Sequence, residues 1–214
     1  ETRKVFMFGA SGMGMAPLAC YLARSGVSVE AYDDNFQEPI YTLLQKSGVS
    51  VLHEPNPLNQ PDLVIRSSAV SETDRRLMPF KKNALPIFRR GSFIARFCRS
   101  KRVVSIAGSH GKTTTTGMLV WALREVGFSF SHMVGGRFEA DQLPMGSSAS
   151  GEESPWLILE LDESDGTMAE FSPEITTVLN CDWDHVDQYN DPKSLEKAFT
   201  RLFEATKSAV VVPT

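Results

Sequence analysis

Cysteine is scarce in this chain. Its three cysteines, Cys20, Cys98 and Cys181, are odd in number and far apart. They offer neither a metal-ligand spacing nor a disulfide framework, so a reducing cytoplasm is the expected compartment. Long apolar runs are missing too. No stretch approaches the roughly 18 residues of a membrane span, and no signal-like start is present, which argues against both insertion and secretion. A basic excess is also absent: the formal net charge is −4 and the isoelectric point ≈ 5.6. Nucleic acid is therefore not an expected partner, and the local pairs Lys81-Lys82 and Arg89-Arg90 read as solvated faces. There is no internal repeat and no low-complexity tract. What remains, 42% hydrophobic and 22% charged residues in 214, is ordinary for a soluble globular protein with a buried core. That length suits one large domain or two small ones.

The most informative stretch runs from Val103 to Thr116. An apolar, β-branched run ends in Gly108-Ser109-His110-Gly111 and opens directly onto Lys112-Thr113-Thr114. This predicts a strand, a phosphate-cradling turn and the first turn of a helix, with backbone N–H groups converging on an anion. Lys112 is placed to put a point charge on the β- and γ-phosphates, and the Thr113 hydroxyl to ligate Mg²⁺. The usual G-x-x-x-x-G-K-[ST] spacing asks for glycine at position 106, where this chain has Ile106. The motif is thus a shorter G-x-x-G-K-T-T-T variant. The competing reading is a Gly/Ser turn before a Thr-rich helix start. Four consecutive threonines are poor helix formers, however, so propensity does not account for them. His110 has two open readings, a phosphate ligand or a turn-shaping residue.

Upstream, residues 4–8 form an apolar run ending at Gly9-Ala10-Ser11-Gly12-Met13-Gly14. A helical pattern follows, with Met15, Leu18, Ala19, Leu22 and Ala23 on one face and Gly26 as its stop. A second strand over 27–32 delivers Asp33 and Asp34. This βαβ unit with a Gly-rich first turn predicts a parallel sheet. The pattern continues with helices over 41–46, 72–83 and 91–99, and strands over 49–52, 62–67 and 86–88. After a seam near residues 100–102, the P-loop strand starts a second sheet. Residues 141–154 read as a mobile surface loop. Runs 156–161 and 175–180 read as buried parallel strands, 191–206 as a capped helix, and 209–212 as another buried strand.

The glycines fall at 9, 12 and 14 rather than in G-x-G-x-x-G register, because Ser11 takes the second place. Asp33, 24 residues after Gly9, sits where an acid meets a ribose hydroxyl. A diphosphate-bearing ligand, NAD(P) and a purely structural turn all stay open here. In the strand 156–161, Glu160 is the polar exception. A carboxylate at a buried strand end calls for a partner or a metal, and Mg²⁺ at the carboxyl edge of the sheet accounts for it. Asp162, Glu163 and Asp165 follow in what also reads as an ordinary acidic loop. A further strand end delivers Asn180 and then Asp184, His185 and Asp187, a set suited to a metal or substrate. The crevice of an open parallel sheet lies at these carboxyl ends, which brings the P-loop, Glu160 and residues 184–189 to one edge. His53 and His132 lack such neighbours and read as structural.

Together these segments resemble the Mur ligases. The resemblance rests on Gly9/Gly12/Gly14, Ser67-Ser68-Ala69-Val70, Pro86-Ile87-Phe88-Arg89-Arg90, the P-loop, Glu160 to Asp165 and Asn180 to Tyr189. It covers essentially the whole chain and is nearest to the branch that adds L-alanine. It implies an α/β fold: a Rossmann-like UDP-sugar-binding domain over 1–100, then a P-loop ATP-binding domain over 101–214. The latter is expected to be truncated, with a C-terminal amino-acid-binding domain missing. The implied activity is an ATP-dependent ligase of peptidoglycan precursor synthesis. ATP phosphorylates the lactyl carboxylate of UDP-N-acetylmuramate, and the amine of L-alanine attacks the acyl phosphate. Lys112, Glu160 and His185 become the implied catalytic residues. Thr113, Glu160 and His185 become the metal ligands, and Gly108 to Thr114 with Asn180 the ATP site. Gly12, Gly14, Asp33, Ser67, Ser68 and Arg89 line the UDP-sugar site, with Gly135 and Gly136 meeting the sugar from the second domain.

Some positions depart from the family pattern. Several Mur ligases carry a lysine about 15 residues after the motif histidine, modified to a carbamate; here position 200 is Thr, as suits the alanine-adding branch. Ser109 stands where Thr is frequent. Ser164 stands where the peptide-recycling relative often has Tyr, which favours the alanine branch over one that adds a tripeptide to the same sugar nucleotide. Other classes predict different ligands. A Rossmann oxidoreductase would bind NAD(P)H at Gly9–Gly14. A P-loop kinase or GTPase would need a Walker B Asp or a base-reading motif. A sugar-nucleotide-binding module would carry a vestigial ATP site.

Overall fold

The computed structural model describes residues 3–57, 59–136, 144–147, 154–182, 189 and 191–213. The chain builds two mainly parallel α/β sheets, in agreement with the α/β class expected. The first contains β1 (Lys4–Phe8), β2 (Ser28–Tyr32), β3 (Ser50–Leu52), β4 (Leu63–Arg66) and β5 (Ile87–Arg89) in the order β3-β2-β1-β4-β5. All four pairings are parallel. The apolar run of β1 is buried after its first residue because β1 is the central strand, covered on both faces. The order reverses between β1 and β4, which makes their carboxyl ends a topological switch point.

Helix α1 (Met15–Arg24) follows β1, and α2 (Ile40–Lys46), α3 (Met78–Lys82) and α4 (Arg90–Phe97) complete the unit. Gly26 ends α1 as expected, with φ +84°. Burial of α1 is not confined to one face, however. Every residue from Met15 to Leu22 is buried, because the helix is packed between its own sheet and the second one. The expected helix 72–83 is also shorter. A turn leads into a 3-10 segment, Arg75–Leu77, whose start is set where the Asp74 carboxylate accepts the Arg76 N–H at 2.9 Å. Only Met78–Lys82 is α-helical, with proline in its first turn.

The chain reaches the second sheet through a 3-10 turn, Cys98–Ser100. That sheet holds β6 (Arg102–Ala107), β7 (Ser131–Met133), β8 (Gly146–Ser147), β9 (Trp156–Glu160), β10 (Ile175–Val178) and β11 (Ala209–Val211), in the order β11-β10-β6-β9-β7-β8. The pairing of β8 to β7 is antiparallel; the others are parallel. Helices α5 (Lys112–Glu125) and α6 (Pro192–Ala205) flank it, and α6 begins with a full capping box between Asp191 and Ser194.

Two expectations need correction here. The loop expected over 141–154 contains β8, and Met145 is 2% exposed; residues 141–143 and 148–153 of that stretch lie outside the described residues. Strand β11 is present but exposed along its length. It is the edge strand, with β10 on one side, so its valines face outward despite their apolar pattern.

One apolar cluster runs through both units. Met15, Leu18 and Ala19 of α1 belong to the same core as Met133, Met145 and Leu157 of the second sheet. Gly146 of β8 lies directly on α1: a Cβ there would come within 2.1 Å of the Pro17 carbonyl oxygen. Small residues at this crossing allow backbone to meet backbone.

Candidate functional site

Three neighbouring strands, β10, β6 and β9, end side by side and deliver Asn180, the P-loop and Glu160 to one edge. The loop conformation depends on its glycines. Gly108 has φ +135° and faces the Asn180 backbone, where a Cβ would approach N and O to 3.1 Å; Gly111, the N-cap of α5, has φ +81°. A side chain at either place is strained. The Asn180 amide clasps the turn reciprocally: its Oδ1 accepts the His110 N–H at 2.8 Å and its Nδ2 donates to the His110 carbonyl at 3.0 Å. The main chain of His110 thus shapes the turn, while its exposed ring lies 3.8 Å from the Asp182 carboxylate. Ser109 Oγ donates to the Asp182 carbonyl at 2.6 Å. Thr114 is exposed on the first turn of α5.

Lys112 Nζ donates to the Gly108 carbonyl at 2.6 Å and pairs with Glu163 Oε1 at 3.0 Å. The Thr113 hydroxyl donates to Glu160 Oε1 at 2.8 Å, and the Gly135 N–H donates to Glu160 Oε2 at 2.7 Å. Burial raises the Glu160 pKa, opposed by these two hydrogen bonds and by the Lys112 charge. A hydroxyl and a desolvated carboxylate in contact form a hard-oxygen pair suited to a divalent cation such as Mg²⁺. Gly135 and Gly136 are pressed onto this pair. A Cβ on Gly135 would reach Glu160 Oε1 at 2.7 Å, and one on Gly136 would reach Thr113 Cγ2 at 2.1 Å. Among the described residues no three His, Cys, Asp or Glu side chains form a metal-holding group. His185, expected to hold a second cation, lies outside the described residues, as do Asp184 and Asp187.

The acidic segment 160–165 is not a uniform solvated loop. Glu160 faces Thr113, Glu163 faces Lys112, and Asp162 and Asp165 each accept from Arg90 Nη2 at 2.7 Å. Ser164 closes a local turn by donating both its N–H and its hydroxyl to Asp162 Oδ1, at 2.9 and 2.6 Å. Burial works against an ionised Asp162, but the Arg90 charge and the Ser164 bonds prevail and hold its pKa below the usual carboxylate value. Tyr189 donates to the Glu163 carbonyl at 2.8 Å, and burial pushes its phenol up to about 12.

On the first sheet, Gly9 adopts φ +76° and a Cβ there would meet Ser67 Cβ at 2.7 Å. The Asp33 carboxylate accepts from Ser11 N–H at 2.9 Å and Asn35 N–H at 3.1 Å, so it braces the glycine turn. Ser67 Oγ accepts the Ala69 N–H at 3.3 Å, and Ser68 is exposed in the same turn. Gly12 has ordinary surroundings. Gly14 does not: a Cβ there would lie 1.9 Å from Arg90 Nη1. Between the units lies a cleft of ≈ 340 Å³ whose walls include Gly14, Arg90, Ser109, Lys112, Gly135 and Glu160. Arg89, expected at the sugar site, donates Nη2 to the Asp165 carbonyl at 2.5 Å; Arg90 lines the cleft. Arg90, which lines the cleft, and Glu163, which pairs with Lys112, were not among the expected site residues. The doublet at 89–90 was visible, but its carboxylate partners lie more than 70 residues away.

Residues 106–213 match the family described as Mur ligase middle domain, and residues 4–102 match the one described as Mur ligase family, catalytic domain. A UDP-N-acetylmuramate–L-alanine ligase of Sulfurihydrogenibium sp. is 33% identical over 201 residues, 93% of this chain and 43% of that protein. The chain therefore spans less than half the length of this curated relative. Among solved structures, UDP-N-acetylmuramate-alanine ligase from Thermotoga maritima superposes with TM-score 0.84 at 25% identity, over 97% of this chain and 48% of that one. UDP-N-acetylmuramate:L-alanyl-gamma-D-glutamyl-meso-diaminopimelate ligase from Neisseria meningitides shares the fold, with TM-score 0.86 at 21% identity over 99% of this chain and 71% of that one. With the P-loop, the acidic segment and the glycine turn gathered around one cleft, and both halves of the chain matching, this protein belongs to the Mur ligase family.

Proposed function

We propose that the chain is the UDP-sugar- and ATP-binding portion of an ATP-dependent ligase that joins L-alanine to UDP-N-acetylmuramate through an acyl phosphate. Residues 1–100 serve the sugar nucleotide and 101–214 the nucleotide triphosphate, in a cytoplasmic enzyme. The observation that carries this reading is the cleft itself, which puts Gly14 at the N-terminus of α1 opposite Lys112 and Glu160. Two phosphate-binding turns facing across one gap suit a reaction that joins a phosphoryl donor to a sugar-nucleotide carboxylate.

Each residue has a task in this scheme. The backbone of Gly108, Ser109, His110 and Gly111, with Thr114 and the bracing Asn180, binds the triphosphate. Lys112 leaves its loop carbonyl and neutralises the γ-phosphoryl group as it moves to the lactyl oxygen. Thr113 and Glu160 would hold one Mg²⁺, and His185 a second cation. These ions, when bound, supply the positive charge that lets two anions approach. Gly12, Gly14, Asp33, Ser67 and Ser68 shape the sugar-nucleotide end. Gly135 and Gly136 hold Glu160 and Thr113 in place. Catalysis is then mainly positioning and charge neutralisation. Ser164 favours the alanine branch over the tripeptide branch: its hydroxyl closes a bond to Asp162 two residues away, a span too short for a tyrosine phenol.

The test is a calorimetric titration of the chain with UDP-N-acetylmuramate, with NADH as the comparison. Saturable binding of the sugar nucleotide and none of NADH is expected. NADH binding alone would transfer the glycine turn to an oxidoreductase.

A further inference from the structure

Arg89 and Arg90 end β5 and begin α4, and they differ in task. Arg89 is spent on a backbone carbonyl of the acidic loop. Arg90, with its side chain 11% exposed, reaches both units. Its Nη2 is shared by Asp162 and Asp165, each at 2.7 Å, and its Nη1 occupies the space a side chain on Gly14 would need. Gly14 is the N-cap of α1. The same loop carries Glu163, 3.0 Å from Lys112. Ser164 is bonded twice to Asp162, which ties Glu163 between them into the same turn. An unbroken line of contacts therefore runs from Gly14 through Arg90, Asp162 and Glu163 to Lys112.

We infer that Arg90 is a positioning residue that couples occupancy of the glycine turn to the setting of Lys112, so that a sugar nucleotide at one turn alters nucleotide affinity at the other. This rests on the ligand assignment above. The chemistry favours a link over a passive strut. The two units are already held by apolar packing between α1 and β7–β8, so a buried ion pair is not needed to join them. An anion arriving at the N-terminus of α1 competes with Asp162 and Asp165 for the same guanidinium. As Arg90 turns toward it, the hold on Asp162 weakens, and with it the placement of Glu163 beside Lys112. A lysine cannot substitute, because it lacks a planar fork that serves two carboxylates with one nitrogen and a third group with the other.

The readout is linkage between ligands, which must be reciprocal. Binding of the β,γ-imido analogue of ATP with Mg²⁺ is measured by calorimetry with and without saturating UDP-N-acetylmuramate. The unmodified chain, Arg90→Lys and Asp162→Asn are compared. A coupling factor of about fivefold or more is expected in the unmodified chain, falling toward one in both variants whatever happens to each separate affinity. If Arg90→Lys does not fold, Asp162→Asn carries the test, since Asp165 still holds Arg90 there. Both ligands binding with a factor of one in the unmodified chain overturns the coupling and leaves the ligand assignment standing, as does a factor unchanged in the folded variants. Failure of either ligand to bind the unmodified chain overturns the assignment, and the coupling with it.

Discussion

His132 offers a direct test of how burial controls this fold. It lies in β7, 4% exposed, with Nε2 hydrogen-bonded to the Pro144 carbonyl at 2.8 Å. Burial pushes its imidazole down from 6.5 to about 4, partly opposed by that hydrogen bond. The folded state therefore holds the ring neutral where the unfolded chain already binds a proton. A depressed value makes the contribution fully present above the unfolded pKa and lost as pH falls through the folded one, so the window is from 6.5 to about 4. At about 1.4 kcal/mol for each tenfold change in proton affinity, the loss is about 2 kcal/mol by pH 5 and about 3 kcal/mol below both values. Other groups titrate over the same range, so the comparison is with His132→Gln, whose amide keeps a donor for Pro144 without a titration. Urea unfolding followed by tryptophan fluorescence at pH 7.5, 6 and 5 gives both stabilities. The advantage of the histidine chain over the glutamine chain should shrink by about 2 kcal/mol from pH 7.5 to pH 5. A difference that stays flat with pH would refute the claim that the ring is buried neutral.

Gly146→Ala should lower stability by about 1–3 kcal/mol, read as a drop in thermal midpoint, because its methyl meets helix backbone rather than a yielding side chain. Lys112→Ala should weaken binding of the imido ATP analogue by about 1.5–3 kcal/mol through loss of a charged phosphate contact, or about tenfold to a hundredfold in Kd; unchanged affinity would remove the P-loop assignment. Glu160→Gln should gain stability relative to the unmodified chain as pH rises from 4.5, because a carboxyl with a raised pKa is destabilising once ionised. Parallel melts from pH 4.5 to 8 check the slope. The same variant should also reduce the Mg²⁺ dependence of nucleotide binding, and a nucleotide affinity equally metal-dependent in both chains would count against Glu160 as a ligand.

Local patterns carried much of the architecture. Strand β1, the stop at Gly26, the P-loop turn and the capping of α6 each depend on residues within a few positions of one another, and all appear where the sequence predicts them. Elements whose reason is tertiary were not legible. Strand β7 is three residues, Ser131-His132-Met133, too short and too polar to show an alternation; it is a strand because β9 runs beside it. The burial of α1 on all sides follows from β8 lying across it, and no periodicity in α1 announces that. The exposure of β11 depends on its place at the edge of the sheet rather than on its valines. At the site, Glu160 was readable as one polar residue in an apolar strand. Arg90 was not, because its meaning comes from Gly14 on one side and a carboxylate pair on the other. Gly135 and Gly136 were expected to meet a sugar; the structure supplies a steric reason for both in Glu160 and Thr113.

Under the proposed function, the shared apolar core also bears on how ligands are selected. Domain pairs that hinge do so across small polar interfaces. Here Met15 and Leu18 pack in one core with Met133 and Met145, and Gly146 rests on the α1 backbone. With that function, this packing resists separation of the two turns, and the cleft would act as a gauge between them. On the proposed function, a ligand set is accepted by its reach: its two ends must together span the gap from Gly14 to Lys112. A nucleotide alone would engage one turn and leave the other in water. On that function, an acceptor whose carboxylate stands too near its diphosphate would be left short of the phosphoryl donor.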